Sequence, residues 1–171
     1  GDTEEISQFL KKELESMGIE TRVTNKGAII GILPGEKEGF SRMVSAHVDT
    51  LGAMVRSVTS EGKLKLISVG GFTMESIEGM YCKVHTRTGK TYTGTILTKS
   101  PSVHVQDDAR TLERKEKNME VRLDEVVHNA EDVAKLEIGT GDFISFDPMF
   151  VYTESGFIKS RHLDDKASVA V

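Results

Sequence analysis

Residues 81–97 read YCKVHTRTGKTYTGTIL, and this stretch decides the fold of the central part of the chain. Segments 81–86 and 91–97 each alternate with a period of two residues, which is the pattern of half-buried β-strands. Thr88-Gly89-Lys90 lies between them and supplies a turn signal. The stretch therefore predicts a β-hairpin with one face on a core.

The same pattern of short alternating segments extends over about residues 53–153. Residues 63–66 (KLKL) alternate in the same way. Turn or break signals flank the alternating segments at Glu61-Gly62, Gly70-Gly71 and Ser155-Gly156. Because many short strands separated by turns are typical of a small barrel or sandwich, we predict a β-rich unit here.

Two parts of this unit do not alternate. Residues 129–136 predict a helix, with Asn129 as its N-cap and Asp132 three residues later. Residues 106–118 are polar and mixed in charge. That composition fits either a charged helix or a solvated loop with some disorder, and the sequence leaves both open.

The N-terminal part has a different pattern. Apolar residues recur at helical spacing over residues 3–17, where Asp2 and Glu5 resemble a capping box and Gly18 supplies the C-terminal stop. The residues that recur are Ile6, Leu10, Leu14 and Met17. This segment predicts an amphipathic helix.

Three strands are predicted after that helix. Residues 20–24 and 28–33 flank the turn Asn25-Lys26-Gly27, and Pro34-Gly35 ends the second of them. The small apolar run at residues 43–47 (MVSAH) is typical of a buried strand. A helix, a hairpin and a buried strand together indicate the opening of an α/β domain.

Composition excludes several classes of protein. Hydrophobic residues make up 37% and charged residues 29% of the 171, as in a soluble globular protein. A net charge of −5 argues against nucleic acid or an anionic membrane as partner, and there is no membrane-spanning apolar run and no leader. The single cysteine fits a reducing cytoplasm. Cys82 could be a reactive thiol, but its strand context favours a packed small hydrophobe.

The first candidate site lies in residues 45–52 (SAHVDTLG). A strand would place His47 and Asp49 on one face, at the carboxyl end where α/β sheets collect ligands. A metal-bound histidine usually donates its other ring N–H to a carboxylate, so His-x-Asp suits a ligand and the residue that orients it. The alternative explanation is a core histidine whose ring N–H is hydrogen-bonded to a neighbouring aspartate.

The second candidate site lies in residues 159–171 (KSRHLDDKASVAV). Asp164 and Asp165 follow a short apolar strand and precede a predicted helix that begins at Ala167. They could simply stabilise the N-terminus of that helix. Alternatively, one carboxylate could bridge two divalent cations.

Three ordered motifs resemble those of the glutamyl/tetrahedral (deblocking) aminopeptidases. They are residues 45–52, residues 141–146 (GDFISF) and residues 163–166 (LDDK), with a β-rich insertion between the two metal motifs. The resemblance covers nearly the whole chain. It implies an α/β fold in which a partial aminopeptidase/carboxypeptidase-like α/β/α catalytic domain, residues 1–52 and 154–171, is interrupted by an inserted small β-barrel dimerisation domain, residues 53–153.

The resemblance also implies a dinuclear metal site. His47 would bind one of two divalent metal ions, with zinc or cobalt favoured. Asp49 would orient His47 as part of the catalytic apparatus, and Asp164 would bridge the two metals. The Asp164–Asp165 peptide bond is expected to be cis. The remaining metal ligands and a general-base glutamate are expected beyond Val171, so these 171 residues are predicted to be inactive alone.

The remaining histidines are interpreted as ordinary surface or partly packed residues. They are His85, His104, His128 and His162. Of these, His162 is the only one expected to line the site, because it lies next to the second motif.

The family's activity is the release of N-terminal residues from peptides by a cytoplasmic homo-oligomer. A non-catalytic β-domain that serves interaction or assembly is the alternative, with His47 and Asp164 as packing and capping residues. A glycoside hydrolase has less support, because a sugar-binding cleft would want aromatic residues and the chain has no tryptophan and 6% aromatics.

Overall fold

The computed structural model describes residues 3–37, 39 and 41–171. Its helices are α1 (Glu4–Ser16), α2 (Ala130–Lys135) and α3 (Lys166–Val169). Its strands are β1 (Glu20–Val23), β2 (Ile29–Ile32), β3 (Gly52–Val58), β4 (Leu64–Val69), β5 (Tyr81–His85), β6 (Thr91–Thr98), β7 (Met119–Leu123), β8 (Phe143–Phe146), β9 (Val151–Tyr152) and β10 (Ile158–Lys159). None of the helices in these ranges has the length and apolarity to cross a membrane.

The N-terminal unit is a helix beside a hairpin, as predicted. Strands β1 and β2 are antiparallel, and the methyl groups of Leu14 on α1 lie against Gly31 of β2. Thr3 is the N-cap of α1 without a side-chain hydrogen bond, and Asp2 of the predicted capping box lies outside the described residues. Because α1 has no fully buried side chain, this unit has only a thin core of its own.

The predicted buried strand at residues 43–47 is wrong for this structure. These residues have no regular structure, and Met43 and Val44 are each 90% exposed. A buried strand needs a neighbour for its backbone hydrogen bonds and an apolar surface to cover it. No strand in the described part of the chain pairs with this segment, so its apolar composition alone does not form a strand.

The central unit is a closed barrel of six strands in the order β3-β4-β7-β6-β5-β8. All neighbours are antiparallel, and β3 closes the barrel by pairing with β8 from Gly52↔Ser145 to Met54↔Phe143. The hairpin predicted from residues 81–97 is confirmed as β5 and β6. Of the two β architectures that the sequence allowed, the structure has the barrel.

The period-two alternation accounts for the barrel core. On β5, Cys82 and Val84 point inward and are buried, whereas Tyr81 and Lys83 point outward and are exposed. The helix predicted at residues 129–136 is confirmed as α2. The Asn129 side chain accepts a hydrogen bond from the Asp132 N–H at 2.9 Å. The largest of the fully buried side chains are Val55, Leu64, Leu66, Ile77, Val84, Ile96, Met119, Val121, Val133 and Ile144.

Residues 106–118 form turns and a short 3₁₀ helix, Glu116–Asn118, so the loop interpretation is confirmed over the charged helix. Side-chain contacts hold the C-terminal end of this loop in place. The Arg114 guanidinium is paired with Glu78 at 2.8 Å, and the buried Asn118 amide donates to the Glu113 carbonyl at 2.8 Å.

The Cys82 thiol is a core group, as its strand context predicted. Burial, with a smaller contribution from the Asp124 carboxylate, raises the pKa of Cys82 to about 12. An unfolded thiol has a pKa of about 8.5. Because the folded pKa is the higher one, this residue's contribution to stability is complete below about pH 8.5 and declines as the pH rises towards 12.

We expect Cys82 to resist a thiol reagent at pH 8 in the native protein. Only the thiolate reacts, and the folded barrel both covers the sulfur and keeps it protonated. Ellman's reagent should detect no thiol before denaturation and one thiol per chain in guanidinium. Rapid stoichiometric labelling of the native protein would show that the barrel opens around β5.

Candidate metal centre

The segment that carries His47 leads directly into the barrel. Residues 41–51 are irregular, and Gly52 then begins β3 between Val69 of β4 and Ser145 of β8. The Leu51 side chain lies against Gly70, where a Cβ would approach its Cδ2 to within 2.6 Å. These contacts fix the C-terminal end of the segment, four residues after His47.

The segment that carries Asp164 leaves the barrel at the same end. Strands β3 and β8 are antiparallel neighbours, so the start of β3 and the end of β8 lie side by side. After β8 the chain forms the β9–β10 hairpin and returns to Pro148, whose carbonyl accepts from the Arg161 N–H at 2.7 Å and the Ser160 hydroxyl at 3.1 Å. Barrel topology therefore brings together two motifs more than 110 residues apart in sequence.

The His47 imidazole lies between two carboxylates. Its Nδ1 is 2.8 Å from Oδ1 of Asp49, and its Nε2 is 3.3 Å from Oδ1 of Asp164. If Nδ1 carries the proton that Asp49 accepts, Nε2 presents a lone pair to the Asp164 oxygen. Two facing acceptors repel each other, so a metal ion between Nε2 and Asp164 would be favourable at this spacing.

The spacing of these two atoms fits a shared metal ion. Two ligands that each lie ~2.0–2.1 Å from one zinc ion at the tetrahedral angle are about 3.3–3.4 Å apart. The distance from His47 Nε2 to Asp164 Oδ1 is 3.3 Å. Imidazole and carboxylate also suit zinc, cobalt and manganese. Among residues 3–37, 39 and 41–171, however, no group of three or more histidine, cysteine, aspartate or glutamate side chains could hold a metal ion.

Asp165 and Lys166 complete the second motif. The Asp164–Asp165 peptide bond is cis, as the resemblance implies. Asp165 is the N-cap residue of α3, and its side chain makes no capping hydrogen bond. Lys166 Nζ is buried without a hydrogen-bond partner, and burial lowers its pKa while the Asp49 carboxylate opposes that shift.

In the described structure, the hydrogen bonds of His162 and His85 are made with residues other than His47, Asp49 and Asp164. His162 is half-buried. Burial lowers its pKa, and a hydrogen bond to the Phe146 backbone opposes that shift. His85 lies on the outer face of the barrel, with Nε2 2.7 Å from the Ser145 hydroxyl. The structure thus brings together His47, Asp49 and Asp164.

Sequence reasoning missed one residue near this site. Arg161 contacts Ser76, which is 85 positions away in the chain. Nothing in the local sequence marks that contact, because Ser76 lies in a part of the barrel unit where the sequence analysis found no motif.

A family match and related sequences identify the family of this chain. The family described as M42 glutamyl aminopeptidase matches residues 27–171. The protein YhfE of Bacillus subtilis (strain 168) is 53% identical over 171 residues, covering all of this chain and 49% of that protein. The glutamyl aminopeptidase of Lactococcus lactis subsp. cremoris (strain MG1363) is 25% identical over 140 residues, covering 81% of this chain and 39% of that protein.

A solved structure has the same fold. The Pyrococcus horikoshii TET1 peptidase, described as able to assemble into a tetrahedron or a large octahedral shell, superposes with a TM-score of 0.71 at 23% identity, over 93% of this chain and 46% of that one. The chain spans at most about half the length of the relatives it matches. Since the family match extends from residue 27 to residue 171, the chain belongs to the M42 glutamyl aminopeptidase family.

Proposed function

We propose that this chain forms part of a two-metal aminopeptidase that releases N-terminal residues from peptides. The observation that carries the proposal is the placement of His47 between Asp49 and Asp164, with the 3.3 Å separation that two ligands of one metal ion would have. Membership of an aminopeptidase family supplies the reaction class. The domain division that goes with this proposal is a catalytic part at residues 1–52 and 154–171 and an inserted barrel domain at residues 53–153.

Each of the three residues has a distinct role in this proposal. His47 would hold one metal ion through Nε2, and Asp49 would keep the imidazole in the correct orientation by accepting a hydrogen bond from its Nδ1–H. Asp164 would be a ligand shared by the two metal ions. When bound, two zinc or cobalt ions would polarise the scissile carbonyl and lower the pKa of a water molecule. The other ligands and the general-base glutamate are proposed to come from polypeptide beyond Val171, where an α/β/α catalytic domain would be completed.

The barrel is the proposed assembly part of the same protein. The TET1 peptidase that shares the fold can assemble into a tetrahedron or a large octahedral shell, which supports a homo-oligomer. We assign the contacts of that homo-oligomer to the inserted domain. An enclosed assembly would restrict substrates to peptides. A single buried cysteine supports the proposal that the protein works in the reducing cytoplasm.

The proposal is tested by comparing two lengths of polypeptide. The 171-residue chain and a version extended to the length of its relatives should be assayed on aminoacyl-nitroanilides with zinc or cobalt. We expect activity only in the extended protein, abolished by a chelator and restored by metal. Hydrolysis by the 171 residues alone would contradict the proposal that the other metal ligands and the general-base glutamate lie beyond Val171. An extended protein that neither binds metal nor hydrolyses peptides would favour the non-catalytic interaction module.

A further inference from the structure

Arg161 lies three residues before Asp164 and contacts the barrel with its whole side chain. Its Nη1 donates to the Ser76 carbonyl at 2.9 Å, and its Nη2 donates to the Ser76 hydroxyl at 3.2 Å. The guanidinium carbon lies over the ring of Phe146, 5.3 Å from the ring centre. The backbone N–H of Arg161 donates to Pro148. The segment that leads to Asp164 is therefore attached to the barrel at three points.

The surface that receives Arg161 is anchored in the barrel core by its neighbouring residues. Ser76 ends a 3₁₀ helix, Met74–Ser76, whose flanking side chains Met74 and Ile77 are buried in the barrel core. The Ser76 hydroxyl also donates to the Thr73 carbonyl at 2.7 Å, which fixes its rotamer. Barrel packing therefore sets where Arg161 can bind.

The Phe146 side of this contact belongs to the same core. Phe146 is buried at the end of β8, and its ring meets Phe72 edge-on at 5.4 Å between ring centres. A ring held in that way offers its face to a cation. The guanidinium is thus held between one core aromatic ring and one ordered serine.

The contact is costly for a residue with only a packing role. No carboxylate in the described ranges forms an ion pair with Arg161, its Nε is buried without a partner, and burial lowers its pKa. Arg161 is partly buried, so its guanidinium gives up part of its hydration without gaining a carboxylate partner. An apolar side chain would fill this space at lower cost, but it could not bind the Ser76 carbonyl and hydroxyl in one fixed geometry.

We propose that Arg161 is a positioning residue that fixes Asp164 against His47 by clamping the Asp164 segment to Ser76 and Phe146 of the barrel. His47 is fixed to the same end of the barrel through Gly52, so the barrel sets the separation of both residues. This inference rests on the proposed metal function. It adds that the inserted barrel holds the metal ligands in place as well as serving assembly.

The test uses four variants of the extended protein, with and without metals, of which Asp164→Asn serves as the NMR reference. Arg161→Met removes the charge and the donors but keeps an unbranched apolar stem, and Arg161→Lys keeps the charge without the forked donors. Arg122→Met is the control, because Arg122 is an exposed arginine on β7 of the same barrel. We measure zinc affinity by calorimetry, kcat and KM, and the ring-nitrogen signals of His47 in the metal-free protein by NMR.

We expect Arg161→Met to weaken zinc binding by about 10–100-fold, as for other residues that orient metal ligands. Activity at saturating zinc should fall mainly in kcat rather than rise in KM. The His47 ring signals should shift towards those of an Asp164→Asn variant. Arg161→Lys should lie between Arg161→Met and the wild type, and Arg122→Met should match the wild type.

Unchanged His47 signals and zinc affinity in Arg161→Met would overturn the inference. If Arg161→Met does not fold, the test relies on Arg161→Lys. Unchanged His47 signals in Arg161→Lys would then overturn the inference. If the wild type binds no divalent metal, the proposed function fails. The NMR signals of the metal-free protein then still show whether Arg161 sets the contact between His47 and Asp164.

Discussion

Replacing His47 with alanine is expected to abolish the metal-dependent activity of the extended protein. The imidazole contacts both Asp49 and Asp164, so its loss removes one proposed metal ligand and both of these contacts. Residues that only orient a ligand cost 10–100-fold in metal affinity, so loss of a ligand should cost more than about 100-fold. Calorimetric titration with zinc and an aminoacyl-nitroanilide assay measure the two effects.

His85→Ala is the matched control for this prediction. His85 is also partly exposed and hydrogen-bonded, but its partner is Ser145 on the outer face of the barrel. We expect this variant to keep the zinc affinity and kcat of the parent protein. Retention of full zinc affinity in His47→Ala would assign the metal to other residues and would contradict the proposed site.

The second large effect is expected from Leu66→Ala in the barrel core. Leu66 is 1% exposed on β4 and belongs to the core cluster of the barrel. Replacing a fully buried leucine with alanine costs ~2–5 kcal/mol through lost burial and the cavity left behind. Domains have total stabilities of about 5–15 kcal/mol, so this single change should remove a large share of the free energy of unfolding.

Ile67→Ala provides the comparison, because Ile67 is the next residue of β4 but points outward and is 41% exposed. Urea titrations followed by circular dichroism should show a lower midpoint for Leu66→Ala and a change below about 1 kcal/mol for Ile67→Ala. Equal losses in the two variants would mean that the inward and outward faces of β4 have been assigned incorrectly.

Strands of the barrel were predictable because the period-two alternation lies within each strand's own sequence. Residues 81–97 alternate strictly enough to identify both strands and the turn between them, and the Asn129 cap marks the start of α2. These features depend on neighbours in sequence. The strand pattern alone could not distinguish a barrel from a sandwich, because closure depends on β3 meeting β8 from the other end of the unit. The family resemblance implied the barrel, and the structure confirms it.

Residues 43–47 show why an apolar run is a weak predictor of a strand. A half-buried strand is recognised by its alternation, whereas a run such as MVSAH describes only an apolar segment. Whether it becomes a strand depends on hydrogen-bonding neighbours, and no strand in the described ranges is a neighbour to it. The prediction failed because the tertiary partner, rather than the segment itself, decides the outcome.

The site was predictable in composition but only partly in its contacts. His47 and Asp49 do lie together, but in an irregular segment rather than on one face of the strand from which their proximity was predicted. The resemblance associated them with Asp164. The contact between Arg161 and Ser76 could not be predicted, because it joins positions 85 residues apart and neither has a local signal. Contacts of this kind arise from the fold of the barrel as a whole.

Each of the six barrel strands has a neighbour on both sides. A free sheet edge exposes a row of N–H and C=O groups that another chain can extend by adding a strand. The barrel offers no such edge, so a second copy that contacts it has to recognise its outward side chains and loops. Interface specificity on this surface can therefore change through single side-chain substitutions, while the strand backbone stays the same.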